Sequence, residues 1–173
     1  MWKRGALLAG LVLAAASASA QTVVVVRHAE KSAADPADRN PSLSEAGRAR
    51  AEILAGLVRD WNVAAVLGSQ FKRTVETGEP AARQAGLAVE PVAIGPGGAA
   101  GQAEAVAARV RALKPGQTAL VVGHSNTVPL LLKALGGPDV PDLPECRYDS
   151  MFVLDVPTGT MSRRTYGAPS ACR

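Results

Sequence analysis

Two histidines, His28 and His124, are the only imidazoles in the 173-residue chain, and each directly follows a β-branched apolar run: Thr22-Val23-Val24-Val25-Val26-Arg27 before the first, Ala119-Leu120-Val121-Val122-Gly123 before the second. Runs of that kind read as strands buried on both faces, the pattern of a mostly parallel sheet covered by helices. Ligands of such sheets bind beyond the carboxyl ends of the strands, so two imidazoles at neighbouring strand ends would share one crevice. A third segment, Gly68-Ser69-Gln70-Phe71-Lys72-Arg73-Thr74, places Arg73 about one turn into a helix that follows another apolar run, and a helix start favours anions. Arg27 adds a second guanidinium beside His28. Planar forks, imidazoles and free amides in one crevice suit a phosphoryl group.

Either arginine taken alone reads first as a salt-bridge partner, Arg27 with Glu30 and Arg73 with Glu76, because residues three apart on a helix are neighbours; the phosphoryl reading comes from the set taken together. A zinc site on His28 and His124 would need further ligands, and only dispersed carboxylates are on offer, so no metal and no cofactor is expected.

The elements that would position these residues alternate. Ser42-Leu43-Ser44-Glu45 has the spacing of a capping box. The helix after it presents Ala46, Ala49, Ile53, Leu57, Leu54 and Val58 at helical spacing, with Arg48, Arg50, Glu52 and Arg59 facing away. Val63 to Leu67 is a strand closed by Gly68, Phe71 to Gln84 a helix stopped by Gly86, Leu87 to Val92 a weaker strand, and Gly95-Pro96-Gly97-Gly98 a flexible loop. Ala103, Val106, Ala107, Val110 and Leu113 mark a third helix, and Pro129 lies in the first turn of a short apolar one. Pro138 to Arg147 reads as irregular, and Tyr148 to Val156 with Thr160 to Tyr166 as a hairpin. The expected fold is a three-layer α/β/α sandwich with a mostly parallel central sheet and a C-terminal antiparallel hairpin.

Residues 1–20 are set apart as a signal peptide: a basic start at Lys3-Arg4, an apolar stretch from Ala6 to Ala16, and the small-residue pattern Ala18-Ser19-Ala20, with cleavage expected after Ala20. A membrane anchor would need about 20 apolar residues, and Ser17 and Ser19 come too soon. The expected location is a periplasm or the exterior, with no stable membrane association after cleavage. Without Lys3 and Arg4 the formal charge falls from +4 to +2, which points to no nucleic-acid partner. The only cysteines, Cys146 and Cys172, are expected to form a disulfide that pins the C-terminal tail.

Arg27-His28-Ala29-Glu30, the Ser69 to Thr74 stretch with Thr77 beyond it, and Gly123-His124-Ser125-Asn126 together resemble, in this order, the three signature segments of the histidine phosphatase superfamily, also called phosphoglycerate mutase-like. The resemblance spans about Thr22 to Gly137 and makes 21–173 a histidine phosphatase-like domain, similar to the small bacterial phosphohistidine phosphatases. It implies His28 as a nucleophile forming a phosphohistidine, Arg27 and Arg73 as clamps on the phosphoryl oxygens, and His124 as a second imidazole donating to them. The implied substrate is a small phosphorylated compound or a phosphoprotein.

The family's acidic proton donor has no counterpart here: the Gly95 to Ala100 loop holds no acid, and Ser125 follows His124. Glu30, Asp35, Glu76 and Glu104 are candidates in its place, none at a matching position. Good leaving groups, as in phosphohistidine, acyl phosphates, aryl phosphates and anhydrides, are therefore favoured. A phosphoglycerate mutase-like phosphotransferase and a catalytically weak phosphate-binding module are the alternatives. The charged segment Lys31 to Asn40 is open to two readings, a contact with substrate beyond the phosphate or a solvated turn.

Overall fold

A computed structural model describes residues 21–172; the expected signal peptide lies outside the described residues. Ten elements follow in the order β1 (Thr22–Arg27), α1 (Glu45–Val58), β2 (Val63–Gly68), α2 (Lys72–Gln84), β3 (Val89–Pro91), α3 (Gly98–Arg111), β4 (Thr118–Gly123), α4 (Val128–Ala134), β5 (Ser150–Asp155) and β6 (Met161–Thr165). They build one six-stranded sheet in the order β3-β2-β4-β1-β5-β6, parallel from β3 to β1, with β5 and β6 antiparallel. The alternation of side chains along each strand splits the core in two. Val24, Val26, Val66, Leu120 and Val122 pack on α1 and α2, while Val23, Val25, Leu67, Ala119 and Val121 pack on α3 and α4. The expected three-layer sandwich and its C-terminal hairpin are both present.

The sheet ends in two short or charged rims. β3 is three residues long and includes Pro91, and β6 exposes Ser162, Arg163, Arg164 and Thr165.

Local departures from the sequence reading have physical causes. Helix α1 is capped by Ser44, not Ser42: the Ser44 side chain accepts from the Gly47 N–H at 3.1 Å. Its buried face is Gly47, Arg50, Ala51, Leu54, Ala55 and Val58, whereas Ile53 and Leu57 stay 44% and 43% exposed. Arg50, expected outside, is buried because a carboxylate and two carbonyls meet it: Glu30 Oε1 at 2.6 Å, the Tyr166 carbonyl at 2.7 Å and the Ala168 carbonyl at 2.9 Å. The loop expected at Gly95 to Gly98 already gives way to α3 at Gly98, and the third strand shrinks to Val89–Pro91. Helix α2 starts at Lys72, with Phe71 at its cap.

Candidate active site

Strands β1 and β4 are neighbours in register, Arg27 opposite Gly123, so the next residue on each chain segment is a histidine. The His28 N–H continues the ladder by donating to the Gly123 carbonyl at 2.9 Å. The ring centroids of His28 and His124 lie 5.3 Å apart. Strand β2, on the other side of β4, ends at Gly68 and delivers Ser69 and then Arg73 on the first turn of α2. Arg27, His28, Arg73 and His124 therefore line a single cavity of about 420 Å³, together with Phe71, Ser125 and others. The fold brings these four side chains together beyond the carboxyl ends of β1, β2 and β4.

Each imidazole is fixed by a partner that assigns its protons. His28 Nδ1 lies 2.7 Å from the Ala29 carbonyl, an acceptor only, so Nδ1 carries the hydrogen and Nε2 the lone pair. Burial, with nearby Arg27, His124 and Arg73 acting in the same direction, lowers the His28 pKa from 6.5 to about 3. His124 Nδ1 faces the Arg73 Nη2 donor at 3.5 Å, which leaves Nε2–H to donate to Ser69 Oγ at 2.9 Å. Burial and then Arg73 and Arg27 lower its pKa to about 4. The neutral His124 thus accepts from Arg73 in this tautomer; donation to a phosphoryl oxygen would need a proton on Nδ1.

These shifts carry a stability consequence. Both histidines bind protons in the unfolded chain near the ordinary histidine value but resist them when folded. The unfolded state is then the better proton acceptor below about pH 6.5, so stability falls as pH drops through that value. A lower denaturant midpoint at about pH 5 than at pH 7 is expected, a window in which the carboxylates stay ionised. His28→Asn should flatten the dependence, and an unchanged midpoint would contradict the assigned protonation.

The two guanidiniums are held differently. Arg73 stacks on Phe71, its Cζ 4.5 Å from the ring centre, and burial lowers its pKa. It does not pair with Glu76, whose Oε2 accepts the Leu43 N–H at 2.7 Å. Arg27, only 2% exposed, pairs not with Glu30 but with Glu145, Nη2 to Oε2 at 2.6 Å. Its Nη1 donates to the carbonyls of Pro144 (3.0 Å), Glu145 (2.6 Å) and Arg147 (3.3 Å), and its Cζ stacks 4.4 Å over Tyr148. Arg27 Nε is buried with no hydrogen-bond partner among the described residues.

Glu145 is the residue that sequence reasoning missed. It sits 118 positions from Arg27 in the Pro-rich segment, and nothing in its neighbourhood marks it. It is the one carboxylate lining the cavity among the described residues, and its other oxygen accepts from Ser125 Oγ. The Ser125 hydrogen bond, and Arg27 after it, hold its pKa below the usual carboxylate value. Glu30, Asp35, Glu76 and Glu104 are not among the lining residues. Glu30 is spent on Arg50, and Asp35 on the Ala37 N–H of its own loop.

The Lys31 to Asn40 segment borders the site as an anchored wall. Asn40 Oδ1 accepts the Lys72 N–H at 2.9 Å, tying the loop to the start of α2. Lys31 and Arg73 are shared with a second cavity of about 550 Å³ that also touches Asp38 and Arg39. Cys146 and Cys172 form the expected disulfide, with Cα atoms 5.2 Å apart.

Paired imidazoles and paired guanidiniums thus meet at the carboxyl ends of a mostly parallel sheet, an arrangement chemically suited to a phosphoryl group. Residues 23–93, which hold Arg27, His28 and Arg73, match the family model described as "Histidine phosphatase superfamily (branch 1)". Among solved structures, SixA of Agrobacterium tumefaciens is similar in fold at 24% identity and a TM-score of 0.60, over 86% of this chain and 98% of that one. The protein histidine phosphatase SixA complexed with tungstate aligns at 21% identity and a TM-score of 0.59, over 86% and 97%. A mycobacterial glucosyl-3-phosphoglycerate phosphatase complexed with VO3 aligns at 17% and 0.59, over 88% and 100%. A search of curated proteins finds no match.

Proposed function

We propose that this protein is an exported, metal-independent phosphatase acting on phosphate esters or related phosphoryl compounds through a covalent phosphohistidine on His28. The observation that carries the reading is the His28 hydrogen bond to the Ala29 carbonyl, which commits Nδ1 to its proton and leaves a lone pair on Nε2 of a side chain lining the cationic cavity. In the first step the Nε2 lone pair attacks phosphorus and the bond to the leaving oxygen or nitrogen breaks, its electron pair departing with the leaving group. Water then attacks the phosphohistidine, the P–N bond breaks, and inorganic phosphate is released. Arg27 and Arg73 offset the charge on the transferred oxygens, which is the task a metal ion performs elsewhere. Among the described residues no group of three or more His, Cys, Asp or Glu is placed to hold a metal. Export is supported by the signal-like residues 1–20 and by the disulfide, which suits an oxidising compartment.

The ionised Glu145 supports substrates whose leaving group departs without a proton: phosphohistidine, acyl phosphates, aryl phosphates or anhydrides, on a small molecule or a protein. It also competes for Arg27 with the incoming phosphoryl group. Glu145→Gln should lower KM for an aryl phosphate severalfold with kcat little changed. A fall in kcat of about 10²-fold or more would instead make Glu145 the general acid.

The direct test is brief incubation with a radiolabelled phosphodonor, expected to leave acid-labile label on the protein. Phosphate transfer within one sugar acid faster than phosphate release would favour the mutase-like alternative. Vanadate binding with no hydrolysis of any tested monoester would favour the binding module.

A further inference from the structure

Arg27 does not hold its own guanidinium in place; a distant, irregular segment does. Three carbonyls, those of Pro144, Glu145 and Arg147, accept from Nη1, and the Tyr148 ring lies beneath Cζ. These residues lie outside every helix and strand. An irregular loop gains little rigidity from its own backbone, and a guanidinium bound by it inherits that freedom. Cys146 sits between two of the three accepting residues and is bonded to Cys172. The tail carrying Cys172 is itself anchored: Ser170 Oγ accepts the N–H groups of Tyr148 and Asp149 at 2.8 and 3.1 Å, and the Ala168 carbonyl accepts from buried Arg50.

We propose that the Cys146–Cys172 disulfide is a positioning device for the Arg27 clamp, so that phosphoryl binding beside His28 depends on the oxidised pair. The proposal rests on the reading of Arg27 as a phosphoryl clamp. The cross-link acts through the carbonyl cradle and touches no substrate. A loosened cradle lets the guanidinium swing away, and misplacement of a positioning group by about 1 Å is enough for a loss of roughly 10²-fold.

A double-mutant cycle tests it on the full chain, with vanadate inhibition of aryl phosphate hydrolysis and KM as readouts and melting temperature followed alongside. Cys146→Ser/Cys172→Ser should weaken vanadate inhibition and raise KM by about 10- to 100-fold. The same pair of changes on an Arg27→Ala background should alter neither by more than about twofold, because the clamp they position is gone. Equal losses on both backgrounds, or a lowered melting temperature with vanadate inhibition intact, would overturn the proposal while leaving Arg27 as a clamp. An Arg27→Ala protein that binds vanadate normally would remove both the clamp and the device.

Should the serine variant fold poorly, the folded wild-type protein can be treated with a phosphine. The phosphine is oxidised to its oxide and the disulfide takes up two electrons and two protons as two thiols. Weakened vanadate inhibition that recovers on reoxidation is the expected result, and full inhibition by vanadate in the reduced, folded protein would count against the idea.

Discussion

His28→Ala is expected to remove both the acid-labile phosphoryl label and turnover of an aryl phosphate, by about four orders of magnitude or more, since losing the atom that forms the covalent intermediate cannot be offset by its neighbours. The loss should fall on kcat, with vanadate still bound by Arg27 and Arg73, because those groups reach the cavity independently of the ring. Rapid-quench labelling and steady-state assay of wild type and variant decide the matter. A His28→Ala protein with full activity would refute the covalent mechanism. The neutral state of the ring makes a further demand. With its pKa lowered to about 3, His28 remains a nucleophile across the whole mildly acidic range, so any acid limb in kcat/KM between about pH 5 and 7 must belong to another group or to the substrate.

The largest expected effect on stability comes from a single methyl group. A Cβ at Gly47 would stand 2.1 Å from the Glu30 carbonyl oxygen and 3.0 Å from its carbon, both backbone atoms. That carbonyl cannot retreat freely, because it accepts the Ser44 N–H at 2.9 Å and the Ser44 hydroxyl at 3.2 Å. Gly47→Ala must therefore push α1 away from the segment that follows His28, at a cost of about 3 kcal/mol. Denaturant unfolding should show that loss, with activity falling alongside as Glu30 shifts two residues from the nucleophile. Gly56→Ala on the same helix meets nothing within 4 Å and should stabilise by roughly 0.5–1 kcal/mol. Similar effects at both positions would mean that the close approach of α1 to Glu30 is not real.

The parts of this molecule legible in its sequence are those whose signal is local. The valine run before His28 and the apolar run before His124 announce buried strands, and their polar successors announce a site at the strand ends. Which strands are neighbours is not a local property, and no single run of residues carries the order β3-β2-β4-β1-β5-β6. The buried face of α1 was misread because Arg50 counts as polar in any periodicity, and its partner Glu30 lies twenty residues upstream. Glu145 escaped for the same reason on a larger scale: a glutamate in a proline-rich loop says nothing of an arginine 118 residues away. Burial of a charge is decided by its partner, and partners across a fold leave no spacing to read.

The two rims of the sheet bear on how copies of this protein meet one another. An unfinished sheet edge offers a row of free amide and carbonyl groups to any passing extended chain, the route by which folded proteins seed fibrils. Here one rim is only three residues long and includes a proline that has no hydrogen to give, while the other presents adjacent arginines that repel their counterparts on a second molecule. Crowded solutions of this protein are thereby kept from zipping edge to edge, and the sheet ends where its sixth strand does.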